Sequence, residues 1–134
     1  MFAIPSLRYN TSSRTFRYWN NASFPNISPL WWEGAYHTSE LGLLFGTYTE
    51  YGVRGSTTYE HEVANRWQDF YLEFLKDPSG DALIELGWPL WAPGAEDAVM
   101  VFGQDGVVSQ VWNASWFERQ CDGVTLTTGT DVIM

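Results

Sequence analysis

Apolar positions recur at helical spacing most clearly between Ser56 and Gly80. Val63, Trp67, Phe70 and Phe74 fall on one stripe, which Tyr71 and Leu75 widen. Ser56 to Thr58 can cap the start, and Glu60 and Glu62 suit the positive end of a helix dipole. Asp77-Pro78 and Gly80 supply the stop. The pattern predicts a long helix that puts Trp67, Phe70 and Phe74 in the core. Residues 98–111 read differently. An apolar run, the turn Gln104-Asp105-Gly106 and a second run from Val107 to Val111 predict a hairpin. The aromatic-rich stretch Thr15 to Asn21 predicts a strand. Ser39 to Gly46 predicts a short helix closed by its glycine.

The segments between these elements carry turn chemistry. Residues 24–30 hold two prolines, and residues 47–55 hold Gly52 and Gly55. Residues 87–97 are rich in proline and predict a surface crossing, in which Trp88 and Trp91 cover apolar surface or stack on a sugar. Residues 1–13 predict an irregular or short helical lead-in, and no pattern follows Cys121. There is no internal repeat. One strand, one long helix and one hairpin make a small sheet for a mixed α/β chain, so the expectation is part of a larger fold.

Charge narrows the partners. The chain has 134 residues and a net charge of -9, which argues against nucleic acid, because such binding replaces counterions with cationic side chains. The same sign argues against an anionic membrane surface. No apolar run approaches the ~20 residues of a membrane span, so no membrane span is expected. The lead-in has Arg8 after a short apolar start and does not read as a signal peptide. Four of the six asparagines nevertheless open an N-x-Ser/Thr sequon: Asn10, Asn21, Asn26 and Asn113. With this Ser and Thr content, chance predicts about one. The expectation is a secreted, glycosylated protein whose signal peptide lies outside this chain. Cys121 has no second cysteine in the chain to pair with, so its partner lies elsewhere or it is a free thiol.

Candidate chemistry is sparse. The two histidines, His37 and His61, lack the spacing of zinc ligands, and Glu60-His61-Glu62 lacks the second histidine of a zincin. Glu33, Glu40 and Asp69 are available carboxylates that no spacing singles out as a pair. His61 reads as an exposed residue in the first helical turn. His37 lies in a loop beside Trp31, Trp32 and Tyr36, which could line a pocket or simply pack.

The loop Gly34, His37, Glu40, Leu41, Phe45, Gly46 is similar to the catalytic-histidine loop of type B carboxylesterases, the cholinesterase-like branch of the α/β-hydrolase fold. The order of the neighbouring segments agrees over residues 5–122. The strand lies before the loop. The helix ending near Gly80, the "GWPLWAPG" crossing and "VFGQDG" follow it. The resemblance implies that residues 1–122 are the C-terminal segment of such a domain and 123–134 an irregular tail. It implies an α/β fold consisting of the last sheet strand, the histidine loop, a long helix and a small hairpin. It also implies an acyl-transfer enzyme in which His37 takes a proton from a serine nucleophile and returns it to the leaving alcohol. Imidazole suits both steps because its ordinary pKa lies near neutrality. Glu40 is implied as a carboxylate that orients the loop without being the triad acid. No metal or cofactor is implied, and the partner is a small-molecule or lipid ester bound by the whole enzyme.

The chain contains no Gly-x-Ser-x-Gly elbow and no glycine-rich oxyanion segment. The resemblance also puts the triad acid upstream. Taken alone, the chain is therefore expected to be inactive. The competing expectation is a non-catalytic binding or adhesion module for carbohydrate or protein. A carbohydrate-binding β-sandwich of this kind would need about seven short strands.

Overall fold

A computed structural model describes residues 14–52, 54–92 and 97–119. The candidate Asn10, Cys121 and the 123–134 tail lie outside the described residues. In chain order the elements are β1 (Tyr18–Asn20), α1 (Ser39–Leu44), a single 3₁₀ turn (Tyr48–Glu50), α2 (Thr58–Lys76), α3 (Asp81–Glu85), β2 (Ala98–Gln104), β3 (Val107–Asn113) and α4 (Ser115–Glu118). The architecture is mixed α/β.

Of the three candidate caps of α2, Thr57 is the one used. Its hydroxyl accepts from the Glu60 N–H at 3.1 Å, while the Glu60 carboxylate accepts from the Thr57 N–H at 3.3 Å. This reciprocal box satisfies two N–H groups that the first helical turn would leave unpaired. It also turns Glu60 inward, so that a carboxylate in a polar first turn is fully buried.

The hairpin forms where the turn chemistry places it. Asp105 and Gly106 both have positive φ, 53° and 77°, which matches the twist of the flanking strands. The ladder runs from Ala98 opposite Asn113 to Gln104 opposite Val107. β2 then pairs in parallel with β1, Tyr18 opposite Met100 and Asn20 opposite Phe102, giving a sheet of order β1-β2-β3. On one face Trp67 and Phe70 of α2, with Trp88, pack on Phe102. On the other, Trp19, Trp112 and Phe117 cover Val99 and Val101.

Where the chain leaves β1 it crosses β2 at very short range. The Asn21 N–H donates to the Phe102 carbonyl at 2.9 Å. A Cβ on Gly103, whose φ is 70°, would lie 2.5 Å from the Cβ of Ala22 and 2.6 Å from its Cα. Gly103→Ala is expected to cost roughly 2–4 kcal/mol, from left-handed strain and a backbone clash together. A urea titration would measure it.

Two expectations need correction, and the open choice for Trp88 and Trp91 is decided for burial against apolar surface. The strand foreseen over Thr15 to Asn21 is shorter, because its first residues pair with the 88–91 crossing rather than with β2. Phe16 bridges Leu90, and the Trp91 N–H donates to the Thr15 carbonyl at 2.9 Å. The tryptophans of that crossing are buried, so they offer no open face to a sugar. The Trp88 indole N–H donates to the Arg17 carbonyl at 3.1 Å, and that of Trp91 donates to Asp97 at 3.0 Å. Finally, the apolar stripe of α2 is not buried to its end. Phe74 is 42% exposed and Leu75 72% exposed, and among the described residues the ring contacts of the helix stop at Tyr71. α3 and α4 escape a periodicity argument because five and four residues are too few to show a period.

Candidate functional site

The histidine loop is built on the end of β1. Asn20, its last residue, donates from its side-chain amide to the Ser39 hydroxyl at 3.3 Å, tying the strand to the first residue of α1. The segment between is fastened at several points. The Ser28 hydroxyl donates to the Gly34 carbonyl at 2.8 Å, and the Tyr36 hydroxyl to the Ile27 carbonyl at 3.1 Å. Glu33 accepts the Leu30 N–H at 3.0 Å. The Ser39 N–H then donates to the Tyr36 carbonyl at 3.0 Å, closing a turn with His37 at its outer corner. The imidazole is exposed, and no hydrogen bond or ion pair joins it to another described residue. A tethered backbone thus presents an uncommitted ring.

Thr38, the next residue, sits in the left-handed region with φ 74° and ψ 0°. A β-branched residue is strained there, and such strain gathers at sites where the chain must aim a side chain. Thr38→Gly is expected to raise stability by roughly 0.5–1 kcal/mol, the relief of strain outweighing the extra unfolded-state freedom of glycine. Chemical denaturation would read the gain.

Glu40 is half-buried in the first turn of α1 and has no hydrogen bond to His37. Its field is felt instead on α2. The Tyr71 hydroxyl is pushed well above the usual tyrosine range, chiefly by burial, then by its hydrogen-bonded neighbour Tyr18 and by the Glu40 carboxylate. Gln68 ties the same helix to α1, donating to the Leu43 carbonyl at 2.9 Å.

His61 is exposed, yet its Nδ1 is 2.5 Å from the Tyr48 hydroxyl. Tyr48 is buried, and burial followed by the Glu60 carboxylate raises its pKa. Asn26 sits in the same place, donating to the Tyr48 carbonyl at 2.9 Å and to the Ser56 hydroxyl at 3.4 Å. This buried polar group, remote in sequence from His37, anchors the segment leading into the histidine loop.

Beside the turn lies a groove of about 260 Å³ lined by Ile27, Tyr36, Thr38, Ser39, Leu41, Gly42 and Tyr51. Of Trp31, Trp32 and Tyr36, the pocket residues that the sequence suggested, only Tyr36 lines this groove. Gly42, a glycine inside a helix, was the available sign of a close approach: a Cβ there would lie 3.0 Å from the Tyr51 ring. Trp31 (94% exposed) and Trp32 project from the loop and do not pack into the core. Among the described residues no three His, Cys, Asp or Glu side chains gather as metal ligands, and no helix is long and apolar enough to cross a membrane.

The sequons differ in setting. Asn113 is exposed at the end of β3, and Asn21 is partly buried with its amide donating to Gln104. Asn26 is 5% exposed with its amide nitrogen engaged, so the folded chain has no room for a sugar there.

Comparison with known proteins places this geometry in context. The chain is 42% identical over 116 residues to secreted lipase 5 of Gibberella zeae and 38% identical over 121 residues to a chlorogenic acid esterase of Aspergillus niger. The similarity is to fungal lipase and esterase sequences. The matches cover 86% and 80% of this chain, so the histidine loop at 34–46 falls inside both. The chain spans only 21% and 23% of those relatives' lengths. No family model and no solved structure matches it.

Proposed function

We propose that this chain is the C-terminal segment, residues 1–122 with a 123–134 tail, of a serine carboxylic-ester hydrolase of the type B, α/β-hydrolase class. His37 is its general base and acid. The observation that carries the reading is the exposed imidazole, hydrogen-bonded to no described residue, on a turn tethered to the end of a sheet strand, within a stretch similar to a lipase and an esterase. In the whole enzyme the ring takes the proton of a serine supplied by the preceding part of the protein, then protonates the leaving alcohol. Asn20 and the Tyr36–Ser39 turn position it. Glu40, in the first turn of α1, is the carboxylate that orients the loop. The substrate is a small-molecule or lipid ester, and the protein is secreted, with Asn113 as its most accessible glycosylation site among the described residues.

The chain's sequence contains no Gly-x-Ser-x-Gly elbow and no glycine-rich oxyanion segment, so the chain alone is expected to be inactive. The test is to read the transcript upstream of Met1 and compare the chain with the longer product. The longer product should hydrolyse 4-nitrophenyl butyrate and take a fluorophosphonate label on an upstream serine. Hydrolysis by the 134-residue chain, or a transcript without an upstream elbow, would defeat the proposal.

A further inference from the structure

We infer that the first sugar of a glycan on Asn113 packs its apolar face on the indole ring of Trp116. The inference rests on the reading of Asn113 as a glycosylation site and adds what that sugar touches. Asn113, Ala114 and Ser115 form the sequon at the end of β3. The Asn113 side-chain oxygen accepts the Ser115 N–H at 2.9 Å, and that donor fixes which amide atom is the oxygen. The amide nitrogen, the atom a glycan bonds, has no hydrogen-bond partner among the described residues. Glycosylation joins this nitrogen to the anomeric carbon of an N-acetylglucosamine carried on a lipid diphosphate. The lipid diphosphate leaves and the amide gives up one proton.

Trp116 stands three residues after Asn113, across a turn in which Ala114 already has helical φ and ψ, -65° and -22°. At the same spacing Thr57 and Glu60 reach each other's backbone across the start of α2. Trp116 is 55% exposed. Its ring is nevertheless held, with centroids 5.4 Å from Trp112, 5.1 Å from Phe117 and 6.3 Å from Trp19. A fixed apolar ring half in water has area to bury and little rotamer freedom left to lose. A pyranose suits it, because the C–H bonds of one sugar face meet the negative face of the ring. Asn113 lies opposite Ala98, whereas Asn20, which leads into the histidine loop, lies opposite Phe102. The sugar is therefore at the other end of β2 from His37 and leaves the proposed chemistry clear.

The test uses the 134-residue chain secreted from yeast behind a signal peptide, its glycans trimmed by endoglycosidase H to a single N-acetylglucosamine. Peptide mass spectrometry reads occupancy at Asn113. Ser115→Ala removes the sequon while keeping Asn113 and the N–H it accepts. Urea unfolding then compares the chain with and without this sugar, once with Trp116 and once in Trp116→Ala. The sugar is expected to lower the unfolding constant about fivefold with Trp116 present and by less than about twofold in Trp116→Ala. Each sugar effect is taken within one background, so the packing that Trp116→Ala itself loses cancels. NMR of the trimmed chain needs no variant: the sugar ring protons should move upfield and show cross-peaks to the Trp116 indole protons. Equal sugar effects in the two backgrounds, or sugar protons without contact to the indole, would overturn this inference and leave Asn113 a glycosylation site. An unoccupied Asn113 would defeat the glycosylation reading and this inference with it.

Discussion

Trp67→Ala is expected to remove about 3–5 kcal/mol of stability, enough to leave the isolated chain largely unfolded at 25 °C. Trp67 is fully buried where α2 meets the sheet. Its ring stacks on Phe102 at 4.0 Å between centroids and meets Tyr18 edge-on at 4.8 Å and Tyr71 at 5.7 Å. One side chain therefore joins α2 to both β1 and β2. Its removal opens a cavity that the paired strands cannot close, and cavity cost adds to lost transfer energy. The indole N–H has no hydrogen-bond partner among the described residues. Trp67→Phe, which keeps a ring against Phe102 and removes that buried donor, is expected to cost only about 1–2 kcal/mol. Urea unfolding of the two variants should separate them clearly. Equal costs would mean that ring stacking is not what holds α2 to the sheet.

In the longer enzyme, His37→Ala is expected to lower kcat by about 10³–10⁴ with stability changed by no more than about 0.5 kcal/mol. Both halves follow from the geometry. The imidazole is exposed and bonded to no described residue, so the fold does not depend on it, whereas the proposed chemistry does. His61→Ala provides the opposite case. Its ring nitrogen is hydrogen-bonded to the buried Tyr48 hydroxyl, so the variant should lose about 1 kcal/mol of stability and keep its turnover within a few-fold. Steady-state kinetics with 4-nitrophenyl butyrate and thermal unfolding of both variants make the comparison. Unchanged turnover in His37→Ala would remove the histidine from the mechanism. A large loss in His61→Ala would move attention to the Tyr48 pocket.

Local chemistry was legible along the chain. Ser56 to Thr58 stand before the helical stripe and Gln104-Asp105-Gly106 between two apolar runs, so a cap and a turn followed from positions that touch within a few residues, whereas the pairing of Thr57 with Glu60 came from the structure. The same was true of the helical stripe through Val63, Trp67 and Phe70, because 3.6-residue spacing is a property of the backbone. Long-range packing was not legible. Nothing in Tyr18–Asn20 says that it pairs in parallel with Met100–Phe102, some 80 positions away, or that Thr15 and Phe16 turn instead to Trp91 and Leu90. Phe74 and Trp67 share one helical face, yet only the extent of the sheet beneath it leaves Phe74 half in water. The histidine loop stood out as a motif, while the groove beside it required Ile27, Gly42 and Tyr51 to meet, and they come from three separate segments. Backbone sterics and short-range hydrogen bonds act between neighbours and so leave a trace in the order of residues. Burial depends on which distant surfaces meet, and that emerges only once the elements have packed.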